Sequence, residues 1–283
     1  RKGYYVPASI VRVTIDSAET NGPSADLHIH TTASDGILTI EELPEVARKA
    51  GIDTVAVTDH DRVHPELTAP VSTHDAVTII RGIELRVNAE SQRLDLLGYG
   101  ARRTDSLTEL TASIQQNRKE RGAAMVDAVE SYLDVTLDID ICEGLGRPAI
   151  ARAIDESNAP YDYSDAFNEI IGSDGPCYIQ REIPSFDTGA AVLADACAVV
   201  GLAHPFRYSD PAAALKQAEE LDAVERFYPY SGQDADRADP TIVENVATNA
   251  DLLLIGGSDA HNRTLGVTGP PSAAFEPFAR RVI

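Results

Sequence analysis

The stretch Asp26-Leu27-His28-Ile29-His30-Thr31-Thr32-Ala33-Ser34-Asp35-Gly36 decides the fold, because it places two imidazoles at the end of a short apolar run. Four similar blocks follow along the chain: Thr58-Asp59-His60-Asp61, Gly82-Ile83-Glu84, Ala203-His204-Pro205 and Gly257-Ser258-Asp259-Ala260-His261. Each block comes after β-branched or aliphatic residues, so we expect each at the C-terminal end of a strand. Polar groups gathered from the ends of many strands are typical of a β/α-barrel active site.

The residue types in these blocks predict a centre for divalent metal ions. His28 and His30 share one face of a strand, because side chains alternate with a period of two. Asp35, Glu84 and Asp259 add carboxylates, and mixed nitrogen and oxygen ligands suit Mn²⁺, Zn²⁺ or Fe²⁺. The acids on either side of His60, Asp59 and Asp61, are candidates to orient its imidazole. A thiolate site is excluded, since the three cysteines are far apart in the sequence and have no CxxC spacing.

Hydrophobic periodicity predicts an α/β chain in three parts. Residues 25–103 and 185–283 alternate strands with helices, which favours a parallel sheet. The predicted strands cover residues 53–57, 77–80, 94–99, 199–203, 223–227 and 252–255. Two predicted helices begin at the capping boxes Thr39–Glu42 and Ser106–Glu109, and a third covers residues 188–196. Residues 104–184 form a helical insertion, with a long helix to about Leu133, shorter helices over 148–156 and 164–171, and a strand signal at 177–179. Residues 1–24 are interpreted as an N-terminal strand extension.

Composition limits the class of partner. The chain has 283 residues, 45 acidic against 24 basic side chains, and a formal net charge of −21. This surface opposes binding to duplex nucleic acid, which requires a basic footprint. The excess of acid, with only four lysines and no tryptophan, favours a halophilic protein. The sequence has no apolar run of about 18 residues, so we expect no membrane span. Cysteines without paired spacing favour reduced thiols in a cytoplasmic protein.

The ordered blocks DLHxHTxxSDG, TDHD, GIE, LLGYG, GLAHPFRY and GSDAH resemble those of the PHP (polymerase and histidinol phosphatase) family, over about residues 25–100 and 185–270. The resemblance implies a distorted seven-stranded β/α barrel with a helical insertion and two or three divalent ions. The insertion, Gly146-Arg147-Pro148 and the block around Arg207 resemble the branch that hydrolyses nucleoside 3′,5′-bisphosphates or trims RNA from its 5′ end. The implied substrate is a small phosphorylated compound, such as a nucleotide or short RNA.

Matching the motifs residue by residue implies a role for each side chain. His28, His30, Glu84 and Asp259 would hold one ion, Asp35, His60 and His261 a second, and Glu84 with His204 a third. A hydroxide bridging the ions would attack phosphorus, with Asp35 and His60 in the catalytic centre. Arg147 and Arg207 would clamp phosphate oxygens.

Two departures from the branch leave alternatives open. Asp95 stands where the branch usually has a histidine ligand and is expected to serve as a metal ligand in its place, and Ala149 replaces a histidine after Arg-Pro. Histidinol-phosphate phosphatase and a non-catalytic regulatory module therefore remain alternatives. We expect His64 and His74 to be exposed, and Tyr208, Tyr228 and Tyr230 either to stack on a base or to pack against strand ends.

Overall fold

A computed structural model describes residues 22–142 and 144–283. The predicted strand extension therefore lies mostly outside the described residues. The eight strands of the described chain are β1 (Asp26–Ile29), β2 (Thr54–Val57), β3 (Val71–His74), β4 (Val77–Ala89), β5 (Gln92–Tyr99), β6 (Val199–Leu202), β7 (Ala223–Phe227) and β8 (Leu253–Gly256).

Seven of these strands curl into a distorted barrel. Their order is β1-β2-β4-β5-β6-β7-β8, and β3 pairs only with β4. The two ends of the sheet meet at a parallel bridge between Ile29 and Ala260, where the His30 backbone N–H donates to the Ala260 carbonyl at 2.9 Å. The predicted seven-stranded α/β barrel is therefore confirmed.

The expectation of an all-parallel sheet was wrong. Strand β4 runs antiparallel to both β3 and β5, and β5 runs antiparallel to β6. A two-residue turn with Asp75 and Ala76 in the left-handed region joins β3 to β4, as in tight hairpins. Short loops between β4 and β5 leave no room for a crossover helix, which forces the antiparallel pairing.

Helices cover the outside of the barrel and build the insertion. They are α1 (Leu43–Lys49), α2 (Asp105–Leu133), α3 (Arg147–Asp155), α4 (Tyr163–Asp165), α5 (Phe186–Ala196), α6 (Pro211–Ala218), α7 (Gly232–Arg237), α8 (Pro240–Ala250) and α9 (Ser272–Val282). A π-helical turn, Ala166–Ile170, continues α4. None of the helices that the structure describes is both long and apolar enough to cross a membrane.

The barrel and the insertion have separate apolar cores. The insertion core gathers Met125, Val129, Ile150, Ile154 and Ile170 around α2, α3 and the π-helical turn. The barrel cores use side chains from its strands and outer helices. This separation supports the prediction that 104–184 is an insertion, although the proposed boundaries remain a prediction.

Two local predictions in the insertion were wrong. Residues 177–179 form a turn and an extended segment with no strand pairing among the described residues. Helix α2 is capped by Thr104, whose hydroxyl accepts from the Leu107 N–H at 3.2 Å, and not by Ser106. The capping box at Thr39 and Glu42 is confirmed by reciprocal bonds of 3.2 and 3.4 Å.

Candidate metal centre

The strands and the loops that follow them bring all nine predicted metal ligands together, but Glu84 lies inside β4 and not at a strand end as predicted. The potential ligand atoms form three groups, and within each group the atoms lie within 4.8 Å of one another. The groups are His30, Asp35, His60 and His261; His28, His30 and Asp259; and Glu84, Asp95 and His204. These groups closely follow the three ligand sets implied by the sequence blocks. Their assignment as ligands is a proposal, argued below.

Glu84 lies at the middle of the cluster. Its Oε2 is 2.7 Å from His60 Nδ1 and 3.4 Å from His30 Nε2, while Oε1 is 3.0 Å from His204 Nε2. Burial raises the pKa of Glu84, but the imidazoles of His60 and His28 outweigh burial and hold it well below its usual value. A carboxylate that touches several imidazoles can bridge neighbouring ions.

Asp35 and His261 lie at the open side of the cluster. The Asp35 carboxylate is 55% exposed, and its oxygens lie 3.3 Å from His261 Nε2 and 3.7 Å from His60 Nε2. Burial of His60 lowers its pKa, yet Glu84 and Asp35 raise it to about 9. In the metal-free chain this imidazole is therefore a cation between two carboxylates at neutral pH.

The conformation of the site depends on tight backbone geometry. Asp61, His204 and Asp259 all have positive φ, at 56°, 27° and 50°. Such values are uncommon for residues with a side chain and occur where surrounding contacts enforce them. At Gly257 a Cβ would meet the His28 nitrogen at 2.2 Å, so only glycine allows β8 to approach β1 so closely.

Asp95 fits the cluster despite its departure from the family pattern. Its Oδ2 lies 3.8 Å from His204 Nε2, and its carboxylate accepts two bonds of 2.7 Å from Arg86. The Tyr208 hydroxyl accepts from the Asp95 backbone N–H at 2.8 Å. Tyr208 is therefore buried and packs against β5, so its ring cannot stack on a base.

The two predicted phosphate clamps lie at different parts of the site. Arg147 lines a cleft of about 210 Å³ that also contains Asp35 and His60. Arg207 instead pairs with Asp259 at 3.1 Å and donates to the Tyr228 hydroxyl at 3.0 Å. Tyr230 is partly buried, and its hydroxyl accepts from the Phe206 N–H at 3.3 Å.

Two expectations about acidic and histidine side chains were wrong. Asp59 accepts bonds from Thr31 and Ser34, and Asp61 pairs with Arg118 and Arg181, so neither acid orients His60. His64 is only 4% exposed, because the loop after β2 folds it inward. His74 is exposed as predicted.

Several buried groups that support the site escaped the sequence analysis. Glu225 contacts His28 Nδ1 at 3.2 Å and accepts from the His204 N–H at 2.7 Å. Asp26 accepts from the Ser258 and Gly266 N–H groups, both at 2.8 Å, and so ties β1 to the segment after β8. An acid directly after the apolar pair Ala223-Val224 was the available signal for Glu225, and the acid that opens the first block was the signal for Asp26.

A basic cleft between the barrel and the insertion was also missed. Six arginines line it: Arg86, Arg93, Arg118, Arg121, Arg147 and Arg181. Their positions range from β4 to the segment before α5, and only Arg118 and Arg121 are close together in the sequence, so no single run of basic residues marks the cleft. In a chain with a net charge of −21, this concentration of guanidinium groups creates a local site for anions.

Fold and site together define a barrel whose strands and following loops carry a carboxylate-imidazole cluster that is able to hold several divalent ions. The PHP domain model matches residues 26–175. The chain belongs to the PHP domain family.

Relatives of known sequence are phosphoesterases by name. A phosphoribosyl 1,2-cyclic phosphate 1,2-diphosphodiesterase of Eggerthella lenta is 28% identical over 84% of this chain and 94% of its own length. The 5′-3′ exoribonuclease Rnm of Escherichia coli is 26% identical over 68% and 69% of the two chains. A 3′,5′-nucleoside bisphosphate phosphatase of Chromobacterium violaceum is 25% identical over 65% and 67%.

Solved structures agree on the fold. A protein described as a metal-dependent phosphoesterase from Bifidobacterium adolescentis superposes with a TM-score of 0.75 at 24% identity, covering 93% of this chain and 98% of its own. An amidohydrolase from Chromobacterium violaceum, determined with bound sulfate, gives a TM-score of 0.70 at 22% identity, covering 92% and 97%.

Proposed function

We propose that this chain is a metal-dependent phosphoesterase that hydrolyses a phosphate ester of a nucleotide or short oligonucleotide. The observation that carries the proposal is the placement of the ligand clusters beside the arginine cleft. Asp35 and His60 belong to both, so a phosphate bound by the arginines would lie next to the metal centre. The names of the relatives support the same class of reaction.

The donor atoms fit divalent ions. Among the described residues, His28 Nε2, both ring nitrogens of His30 and His204 Nδ1 are buried without a hydrogen-bond partner. Buried polar atoms normally have hydrogen-bond partners. A cluster of ring nitrogens that lack such partners therefore fits metal cations bound between them. We propose two or three ions, held by the nine residues named above and drawn from Mn²⁺, Zn²⁺ or Fe²⁺. When bound, such ions polarise phosphoryl oxygens and lower the pKa of water.

The chain's own residues would bind and orient the substrate. Arg118 and Arg181 are held by Asp61, and Arg86 by Asp95. Among the residues that the structure describes, no carboxylate pairs with Arg93, Arg121 or Arg147. These three guanidinium groups can therefore bind phosphate oxygens in forked hydrogen bonds. Arg207 would act from the other side of the centre, where it already contacts Asp259.

The number of arginines favours a substrate with more than one phosphate. A single phosphate group at the metal centre leaves the guanidinium groups of the cleft without an anion. A nucleoside bisphosphate, or the phosphate-rich end of a short RNA, would supply both the reacting group and a second anion. The narrow cleft and acidic surface disfavour duplex nucleic acid.

Arg147→Ala tests this proposal, with Arg152→Ala on the same helix as the matched control. Phosphate release would be measured from adenosine 3′,5′-bisphosphate and from p-nitrophenyl phosphate, each with Mn²⁺, Zn²⁺ or Fe²⁺. We expect Arg147→Ala to lower kcat/KM for the bisphosphate by about tenfold or more, mainly through KM, because a charge-assisted bond is lost. The one-phosphate ester should change less. Equal effects of the two variants on the bisphosphate would contradict the role of the cleft.

A further inference from the structure

A second cleft lies on the opposite face of β4 from the metal centre. Side chains alternate along the strand, so Glu84 faces the centre while Arg81 faces outward with Ile83 and Leu85. The cleft has a volume of about 330 Å³ and is bounded by the start of α2 and the loop after β2. This volume lies at the lower end of the range for small-molecule sites.

Arg81 is a buried cation that has no counterion among the described residues. Its residue is 2% exposed, Nη1 donates to the Leu67 carbonyl at 3.0 Å, and Nε has no hydrogen-bond partner. In the described part of the chain, no carboxylate forms an ion pair with it. Burial lowers the pKa of Arg81, and neighbouring Arg103 lowers it further. An unpaired buried charge is strongly unfavourable, so an anion bound in the cleft that Arg81 lines would stabilise it.

The neighbouring thiol cannot be that partner. Burial of Cys197 raises the pKa of its thiol to about 12, despite the opposing effect of Arg81. Cys197 is therefore neutral at physiological pH and adds no negative charge. None of the side chains that the structure describes beside Arg81 therefore compensates its charge.

Two further arginines line the mouth of this cleft. Arg102 and Arg103 are exposed and follow β5, and the Arg102 backbone N–H donates to the Ala196 carbonyl at 2.8 Å. Between them and Arg81, apolar side chains of Val63, Leu67 and Leu107 line the cleft. Guanidinium groups at two depths, with apolar walls, suit the phosphate group of a small phosphorylated compound.

We propose that Arg81, Arg102 and Arg103 form a binding site for a phosphate group, separate from the metal centre and from the cleft of Arg147. The site goes beyond the proposed hydrolysis and does not depend on it. Its ligand is inorganic phosphate or the phosphate of a small organic ester. Binding there would neutralise Arg81 and stabilise the packing of α2 against β4.

Calorimetric titration of the full chain tests the site. Metal would be removed with EDTA, and the Arg147→Ala background would weaken binding in the active-site cleft. Inorganic phosphate and adenosine 5′-monophosphate would be titrated separately into four metal-free proteins. These are the Arg147→Ala variant itself and three double variants that add Arg103→Ala, Arg81→Met or the remote control Arg280→Ala. We expect a saturable site that survives in the background and with Arg280→Ala. Arg103→Ala should weaken it about tenfold, which corresponds to one charge-assisted bond.

Thermal unfolding provides a second readout for the buried arginine. Arg81→Met should raise Tm in the absence of phosphate, because it removes an unpaired buried charge, and should abolish the phosphate-dependent rise in Tm. If Arg81→Met fails to fold, the exposed variant Arg103→Ala still decides the question.

The two ligands identify the source of the phosphate. Tighter binding of the nucleotide would support the site and assign it to an organic ester, whereas equal binding would support it and assign it to phosphate alone. Binding of neither, or binding unchanged by both Arg81→Met and Arg103→Ala, would overturn the proposal. Hydrolysis by Arg103→Ala in the wild-type background should stay unchanged, so failure of this site would be distinct from failure of the phosphoesterase proposal.

Discussion

The Nδ1 atom of His28 lies 3.2 Å from Oε1 of Glu225, and both side chains are completely buried. In a neutral imidazole, a proton on Nδ1 would be donated to Glu225. The Nε2 lone pair would then face Glu84 and Asp259, each at 3.5 Å. Glu225 therefore determines both the tautomer and the orientation of His28.

Glu225→Gln should weaken metal binding. The amide cannot attract the Nδ1 proton as the carboxylate does, so we expect a 10- to 100-fold loss of Mn²⁺ affinity. Isothermal titration calorimetry would measure the change in affinity. The control is Glu244→Gln, because Glu244 pairs with Arg226 at the surface. Unchanged affinity in Glu225→Gln would show that His28 is oriented by other contacts.

Asp61→Asn should loosen the attachment of the insertion to the barrel. The buried Asp61 carboxylate contacts Arg118 Nη1 and Arg181 Nη1, both at 3.0 Å, and the variant leaves these cations unpaired. We expect the free energy of unfolding to fall by about 3 kcal/mol and KM to rise. Asparagine tolerates the φ of 56°, so the effect reports on charge.

The control for Asp61→Asn is Asp134→Asn. Asp134 also has a left-handed backbone, with φ of 55°, but lies exposed at the end of α2. It should leave stability and KM nearly unchanged. Similar losses in both variants, in urea unfolding and in kinetics, would argue against a role for the Asp61 ion pairs.

The metal-free chain should lose stability as pH rises from 6.5 to about 9. The folded pKa of His60 lies above its unfolded value of 6.5, so its contribution is fully present below 6.5 and is lost as pH rises through about 9. The loss should be on the order of 3 kcal/mol. Metal replaces this proton, so metal should stabilise the fold more strongly at the upper end of the range.

Urea unfolding at several pH values, with and without Mn²⁺, measures this dependence. His60→Asn is the control, because it removes one titrating group and should reduce the dependence in the metal-free chain, while His28 and His261, whose pKa values are also raised by neighbouring carboxylates, keep part of it. Stability of the metal-free wild type that stayed constant or increased across this range would contradict the charge state assigned to His60.

Salt should stabilise the protein. The net charge of −21 produces self-repulsion, which molar salt screens because the Debye length falls to about 3 Å. We expect Tm to increase from low to molar KCl, in agreement with the halophilic interpretation of the composition. A maximum Tm at low salt would contradict that interpretation.

Most of the ligand blocks could be predicted from sequence because they lie at or just after the end of a short strand, whereas Glu84 lies inside the 13-residue strand β4. The pairing of β4 with β5 could not, because antiparallel and parallel strands share the same apolar pattern. The arginine cleft was hidden for a related reason. Arg118 and Arg181 are 63 positions apart in the sequence, and only the fold of the insertion brings them to Asp61.

The sequence indicated only some of the residues that support the metal centre. Glu225 follows two apolar residues within a strand and so signals a buried charge, yet its partner His28 lies 197 positions away. The burial of His64 was unpredictable from its polar neighbours, because it depends on how the loop after β2 packs against α2.

The most direct test of the central claim is phosphate release from adenosine 3′,5′-bisphosphate by the metal-loaded chain in molar KCl. We predict release that requires Mn²⁺, is abolished by EDTA and is lost in His60→Ala. No release by a folded chain with bound metal, from this substrate or from other nucleotide and short RNA phosphates, would contradict the assignment as a nucleotide phosphoesterase.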